Sequence, residues 1–227
     1  MTDSMADLIR KHRLIPPGST ILCAVSGGAD SIYLLHRLYR LRRAFSFTLA
    51  AAHYDHRIRG AESAQDMEFV REFVALCCGR ERVLRPDGST EFLPPVQLLT
   101  GSGDVAAQAR ASGRGLEETA REMRYAFLQE AARQAGAQFI ATAHTANDNG
   151  ETLLLHLARG TGLRGLCGIA PKYGNVIRPL LTTSREEIEG YLRFWGLPWR
   201  EDPSNREDVY ARNRLRHRVL PELEALY

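Results

Sequence analysis

Leu22–Leu38 reads LCAVSGGADSIYLLHRL. An apolar run of strand length stops at Ser26-Gly27-Gly28, and beyond Asp30 the residues Ile32, Leu35, Leu38 and Tyr39 recur at helical spacing. A strand that turns on glycine straight into a helix opens a βα unit. Glycines let the backbone approach a ligand closely, and successive N–H groups in such a turn form an anion nest. The following helix adds the positive end of its dipole. Ser26 and Ser31 add hydroxyl donors, so SGGADS (Ser26–Ser31) reads as a phosphate cradle; a plain βα turn with a Ser or Asp cap is the alternative. The stretch is not G-x-x-x-x-G-K-S/T, G-x-G-x-x-G or G-x-S-x-G, which excludes a Walker loop, a dinucleotide fingerprint and a hydrolase elbow.

Working outward, Ser19–Val25, Phe47–Tyr54 and Gln138–Ala143 are continuous apolar runs, and Val176–Leu181 reads as extended. Helical spacing covers residues 4–13, Asp30–Arg43, Ser63–Cys78, Leu116–Ala135, Asp148–Leu157, Ser184–Trp195 and 210–226. A capping box, Ser184 with Glu187, opens the sixth of these. Continuous apolar strands alternating with helices predict an α/β fold, a parallel sheet with helices on both faces, plus a small helical C-terminal extension. The expected division is residues 1–180 for the nucleotide domain and 181–227 for the extension, with a Gly/Pro/Ser-rich, flexible insertion at 84–115. Ligands of such sheets bind beyond the carboxyl ends of the strands. Ser26–Ser31, His53–Gly60 and His144–Thr152 all fall at such ends.

The chain has 227 residues, 44% of them hydrophobic, and a formal net charge of +3, too mild to argue for nucleic acid by itself. Its only lysines are Lys11 and Lys172; the other basic residues are arginines, which suit bidentate phosphate contacts, although a compositional bias gives the same excess. Cys23, Cys77, Cys78 and Cys167 form no C-x-x-C pair, so a zinc site or disulfide framework is not expected. No signal peptide or long apolar run is visible, which points to a cytoplasmic protein without a membrane partner.

Five stretches in order carry a family resemblance. S-G-G-x-D-S after an apolar strand resembles the signature of the PP-loop ATP pyrophosphatases. HYDHRIRGAESAQD (His53–Asp66) is similar to the H-x-D-H-x-x-R-G-x-S-x-x-D of tRNA(Ile)-lysidine synthetases, and LEETAREMRYAFL (Leu116–Leu128) to their A-R-x-x-R-Y-x-F. TAHTANDNGETLLLHLARGTGLRGLCGI (Thr142–Ile169) resembles T-A-H-H-x-D-D-Q-x-E-T and R-G-S/T-G-L-x-G-L. Ile177–Pro221 resembles I-R-P-L-L, E-D-x-S-N and Y-x-R-N-x-I/L-R. The resemblance implies that ATP, with Mg2+, adenylates the C2 oxygen of the wobble cytidine of a tRNA(Ile) with a CAU anticodon. The amine of free L-lysine then displaces AMP. A homodimer is a candidate assembly. Thiolation by another PP-loop enzyme, or a degenerate nucleotide- or RNA-binding module, is the alternative.

By matching position, the resemblance implies that Ser26, Gly27, Gly28, Ala29, Asp30 and Ser31 hold ATP, with Asp55 and His56 nearby and Asp30 as the magnesium ligand. Arg121 and Arg124 would meet phosphate or base, or else form a solvated helix face. Asp148 and Glu151 share a helix face and would orient the lysine ammonium or take its proton, or else form a salt-bridged helix N-terminus. Arg212 and Arg214, with Arg216 and Arg218, would meet tRNA phosphates, although alternate positions on a helix cannot all share one face. The pattern breaks at Thr145, Asn147 and Asn149, where the family carries histidine, aspartate and glutamine. Asn147, expected at the substrate, keeps hydrogen-bonding shape without the charge. The family often continues into tRNA-binding domains, so a chain ending at Tyr227 is a short form or a fragment.

Overall fold

A computed structural model describes residues 3–57, 61–79, 81–84, 90–163, 165–201 and 214–226. The chain divides into two compact units. Ile15–Gly27 and Ser31–Thr142 make one; Met1–Leu14, Gly28–Asp30 and Ala143–Tyr227 make the other, so the C-terminal segment groups with the N-terminal helix and with three residues of the glycine loop.

The first unit holds a parallel sheet. Strands β1 (Thr20–Ala24), β2 (Thr48–Asp55), β5 (Gln97–Ser102) and β6 (Phe139–Ala141) run in the order β5-β2-β1-β6, every neighbouring pair parallel. Ile21, Leu22 and Cys23 have no exposed surface, and Ala50–Ala52 almost none. That burial is why these strands read as unbroken apolar runs. Helices α2 (Ala29–Leu41), α3 (Ala61–Cys77), α4 (Val105–Ser112) and α5 (Leu116–Gln134) alternate with them, and β3 (Glu81–Leu84) and β4 (Thr90–Leu93) pair as a small antiparallel ribbon.

Residues 84–115, expected to be mostly loop with at most one short strand, hold more regular structure than that. Beyond 85–89, which lie outside the described residues, the stretch contains β4, β5 and α4. Two of its glycines, Gly101 and Gly103, are packing residues, while Gly113 is the left-handed C-cap of α4. A Cβ on Gly101 would stand 2.5 Å from the Phe127 ring, and one on Gly103 would stand 2.3 Å from the Tyr54 hydroxyl. Phe127 of α5 and Tyr54 of β2 need that room, so these two glycines mark close approach rather than a loop.

In the second unit, α1 (Ser4–His12) buries Met5, Leu8 and Ile9 and ends on Arg13 in the left-handed region (φ 47°). Helix α6 (Ala146–Ala158), the two-residue strands β7 (Lys172–Tyr173) and β8 (Val176–Ile177), and α7 (Arg185–Phe194) follow. A π-helical turn over Leu215–Val219 runs into α8 (Leu220–Ala225). The expected capping box of α7 is half formed. Ser184 accepts the Glu187 N–H at 3.1 Å, but the Glu187 carboxylate accepts the Ser4 hydroxyl at 2.8 Å and so serves a tertiary contact.

Candidate nucleotide and amine site

The glycine loop has the geometry of a nest. After β1, Gly27 takes φ 97°, a conformation that costs an L side chain dearly. The backbone N–H groups of Ser26 and Gly27 then converge on one oxygen, Ser31 Oγ, each at 3.1 Å; the Ser26 hydroxyl lies 3.2 Å from the same atom. Successive N–H groups aimed at one acceptor are what a phosphate oxygen requires. One residue missed from the sequence-derived set steadies this loop. Buried His53 bonds through Nδ1 to the Val25 carbonyl at 2.8 Å, immediately before Ser26. Burial lowers its imidazolium pKa, with the Val25 bond opposing. The first histidine of H-x-D-H was the available signal.

At the end of β2, Asp55 accepts the Arg57 N–H at 2.7 Å, so its carboxylate closes its own turn. The His56 ring meets Tyr54 edge-on, with centroids 5.0 Å apart. Burial and then the Arg124 charge depress the His56 pKa. Arg121 and Arg124 lie over the Tyr125 ring at 5.0 and 5.8 Å. Arg124 is itself lowered, first by burial. Arg121 and Arg124 thus bring two guanidinium groups to this corner of the first unit, beside a histidine that favours its neutral form.

The carboxylates of the second unit form a separate cluster. Asp30 sits in the first turn of α2 and pairs with Arg185 (Oδ1–Nη1 2.9 Å). Burial raises the Asp30 pKa, Arg185 lowers it, Asp148 raises it and Arg216 lowers it. Glu151 is fully buried and accepts Arg216 Nε at 2.7 Å, while Arg216 Nη2 is 3.8 Å from Asp148. The sequence placed Asp148 and Glu151 together and left Arg216 open between tRNA phosphate and an intramolecular partner. In the structure Arg216 is their intramolecular counter-ion. Arg214 is exposed, and Arg212 lies outside the described residues.

Each break in the family pattern has a local partner. Thr145 is the N-cap of α6: its hydroxyl accepts the Asp148 N–H (3.3 Å), and the Asp148 carboxylate accepts the Thr145 N–H (2.8 Å). Asp148 is thus also the capping residue that the alternative reading described. Asn147 Oδ1 accepts the Arg185 N–H at 3.0 Å. Asn149 Oδ1 accepts the Ile169 N–H at 2.6 Å, in a space that a Cβ on Gly168 would close (2.3 Å). An amide oxygen performs these tasks without a negative charge.

Among the described residues no group of three His, Cys, Asp or Glu side chains could hold a metal ion, and no helix is long and apolar enough to cross a membrane. A family of sequences described as a PP-loop domain matches residues 2–223. The tRNA(Ile)-lysidine synthase of Geobacillus kaustophilus (strain HTA426) is 40% identical over 227 residues, 98% of this chain and 45% of that protein. That of Bacillus subtilis (strain 168) is 40% identical over 225 residues, 97% of this chain and 44% of its own length. The chain therefore spans less than half the length of these curated relatives. Among solved structures, the U34-tRNA thiolase NcsA from Methanococcus maripaludis, with its 4Fe-4S cluster, superposes with a TM-score of 0.71 at 13% identity. The match covers 99% of this chain and 72% of that one, and it supports the fold alone. A glycine nest at the end of a parallel strand, the α/β fold around it and the match over residues 2–223 agree: the chain belongs to the PP-loop domain family.

Proposed function

We propose that this chain carries the catalytic core of a tRNA(Ile)-lysidine synthase. It would use ATP to join free L-lysine to C2 of the wobble cytidine of a tRNA(Ile) with a CAU anticodon. The observation that carries the reading is the convergence of the Ser26 and Gly27 N–H groups on one oxygen. A phosphate oxygen would replace Ser31 Oγ there, and the loop would steady the leaving pyrophosphate. Asp30 is a single carboxylate, which fits a magnesium ion whose other ligands are phosphate oxygens and water. That ion would neutralise charge on the phosphates. The cytidine C2 oxygen attacks the α-phosphorus and pyrophosphate leaves. The lysine amine then attacks C2, loses a proton and displaces AMP.

Asp148 and Glu151 already hold one cation, the Arg216 guanidinium. The same carboxylates would orient the lysine ammonium. Arg121 and Arg124 would meet tRNA or nucleotide phosphate, and Arg212 and Arg214 would meet tRNA phosphate. The thiolation alternative is weakened by the cysteines, since Cys23, Cys77, Cys78 and Cys167 form no C-x-x-C pair.

The test is incorporation of labelled lysine into a tRNA(Ile) CAU transcript with ATP and magnesium, using a tRNA(Met) transcript as control. Incorporation into the first alone, with AMP released, supports the proposal. ATP binding by folded protein without AMP formation on either transcript overturns it in favour of a binding module.

A further inference from the structure

Arg185 opens α7, where the helix dipole disfavours a cation and where Glu186 and Glu187 are the expected company. It is nevertheless held at three points. Its backbone N–H donates to Asn147 Oδ1 at 3.0 Å, its Nε to Glu189 Oε1 at 2.7 Å, and its Nη1 to Asp30 Oδ1 at 2.9 Å. Glu189 is in turn held by Arg193, one helical turn further on. The guanidinium plane is thereby fixed before it meets Asp30. Stability does not account for the arrangement. The two side chains are 44% and 33% exposed, and ion pairs so placed add little to stability.

We propose that Arg185 is a positioning residue for Asp30 and that Asn147 acts through it. The amide oxygen of Asn147 seats the first residue of α7, and Arg185 fixes the carboxylate that the loop presents to ATP. Asn147 is therefore a support for the loop aspartate rather than a substrate ligand. The oxygen common to asparagine and aspartate is what this task uses. The inference rests on the reading that the loop serves ATP.

The experiment compares wild type, R185A, R185K and N147A. It follows ATP affinity by calorimetry with magnesium, and tRNA-dependent AMP release resolved into kcat and the KM values for ATP and lysine. Circular dichroism melting reports the fold. R185A is expected to lose about tenfold or more in ATP affinity or in kcat, the range of one charge-assisted hydrogen bond. The KM for lysine should hold. R185K should recover part of the loss, guanidinium at concentrations too low to denature should partly rescue R185A, and N147A should move the same parameters less. Folded R185A with wild-type or tighter ATP affinity and unchanged kcat would overturn the inference, because Arg185 would then merely cover Asp30. Should R185A fail to fold, R185K and N147A decide on the same parameters. Should wild type bind ATP and release no AMP, the proposed function fails, and ATP affinity across the variants still decides the role of Arg185.

Discussion

Ser31 Oγ stands 3.1 Å from the backbone nitrogen of Gly27 and accepts its N–H, so a hydroxyl five residues on from Ser26 occupies the centre of the nest. Removing it leaves two converging donors without that acceptor. S31A is expected to lower the stability of the ligand-free protein by about 1–2 kcal/mol. Inorganic pyrophosphate should then raise the melting temperature of S31A more than that of wild type, because it supplies the missing oxygen. An equal rise in both proteins would argue against the nest.

Gly101 lies under α5, where a methyl group would meet the Phe127 ring at 2.5 Å. G101A is expected to cost about 1–3 kcal/mol through overpacking. The paired substitution with F127L should recover part of that loss. Urea unfolding of the two single variants and the double variant measures the coupling.

Much of the fold was legible before any coordinates. The runs at Ser19–Val25 and Phe47–Tyr54 are buried on both faces, and that burial wrote itself into the sequence as unbroken apolarity. The glycine loop was legible because few backbone tasks demand two adjacent glycines between serines. Strand β5 was not. QLLTGS sits among glycines and prolines, and its small residues answer to Phe127 and Tyr54, which no local pattern reveals. The site was legible in part. Asp148 and Glu151 share a helix face by spacing alone, whereas the Arg185–Asp30 contact joins residues 155 positions apart and leaves no periodic trace.

Arg216 neutralises the fully buried Glu151. R216A leaves that carboxylate without its guanidinium partner and is expected to destabilise the protein by about 2–4 kcal/mol. E151Q should cost less, and the double variant E151Q/R216A should cost less than the sum of the two. A double-mutant cycle in chemical denaturation reads this directly. Additive losses would mean that the ion pair carries no coupling.

His36 is buried on α2, and burial, helped by Arg40 and Arg37, pushes its imidazolium down to about 4. As pH falls, the unfolded chain takes up this proton before the folded one does. Stability is therefore complete above about pH 6.5, the ordinary histidine value, and declines as pH falls from there toward the folded value. H36L is expected to flatten part of this decline. Urea midpoints between about pH 7.5 and pH 5 check it, and parallel slopes in the two proteins would contradict it.

The segment Gly28–Asp30 carries a consequence for how the chain is made. Gly28 bridges to Arg200 along the backbone, and Asp30 pairs with Arg185, so residues of the loop find these partners only after more than 150 further residues have been made. At about 5–20 residues per second the ribosome needs roughly 8–30 s to supply Arg185 after Asp30 has emerged. A nascent chain stalled before α7 would carry the SGGADS sequence without its Arg185 and Arg200 contacts.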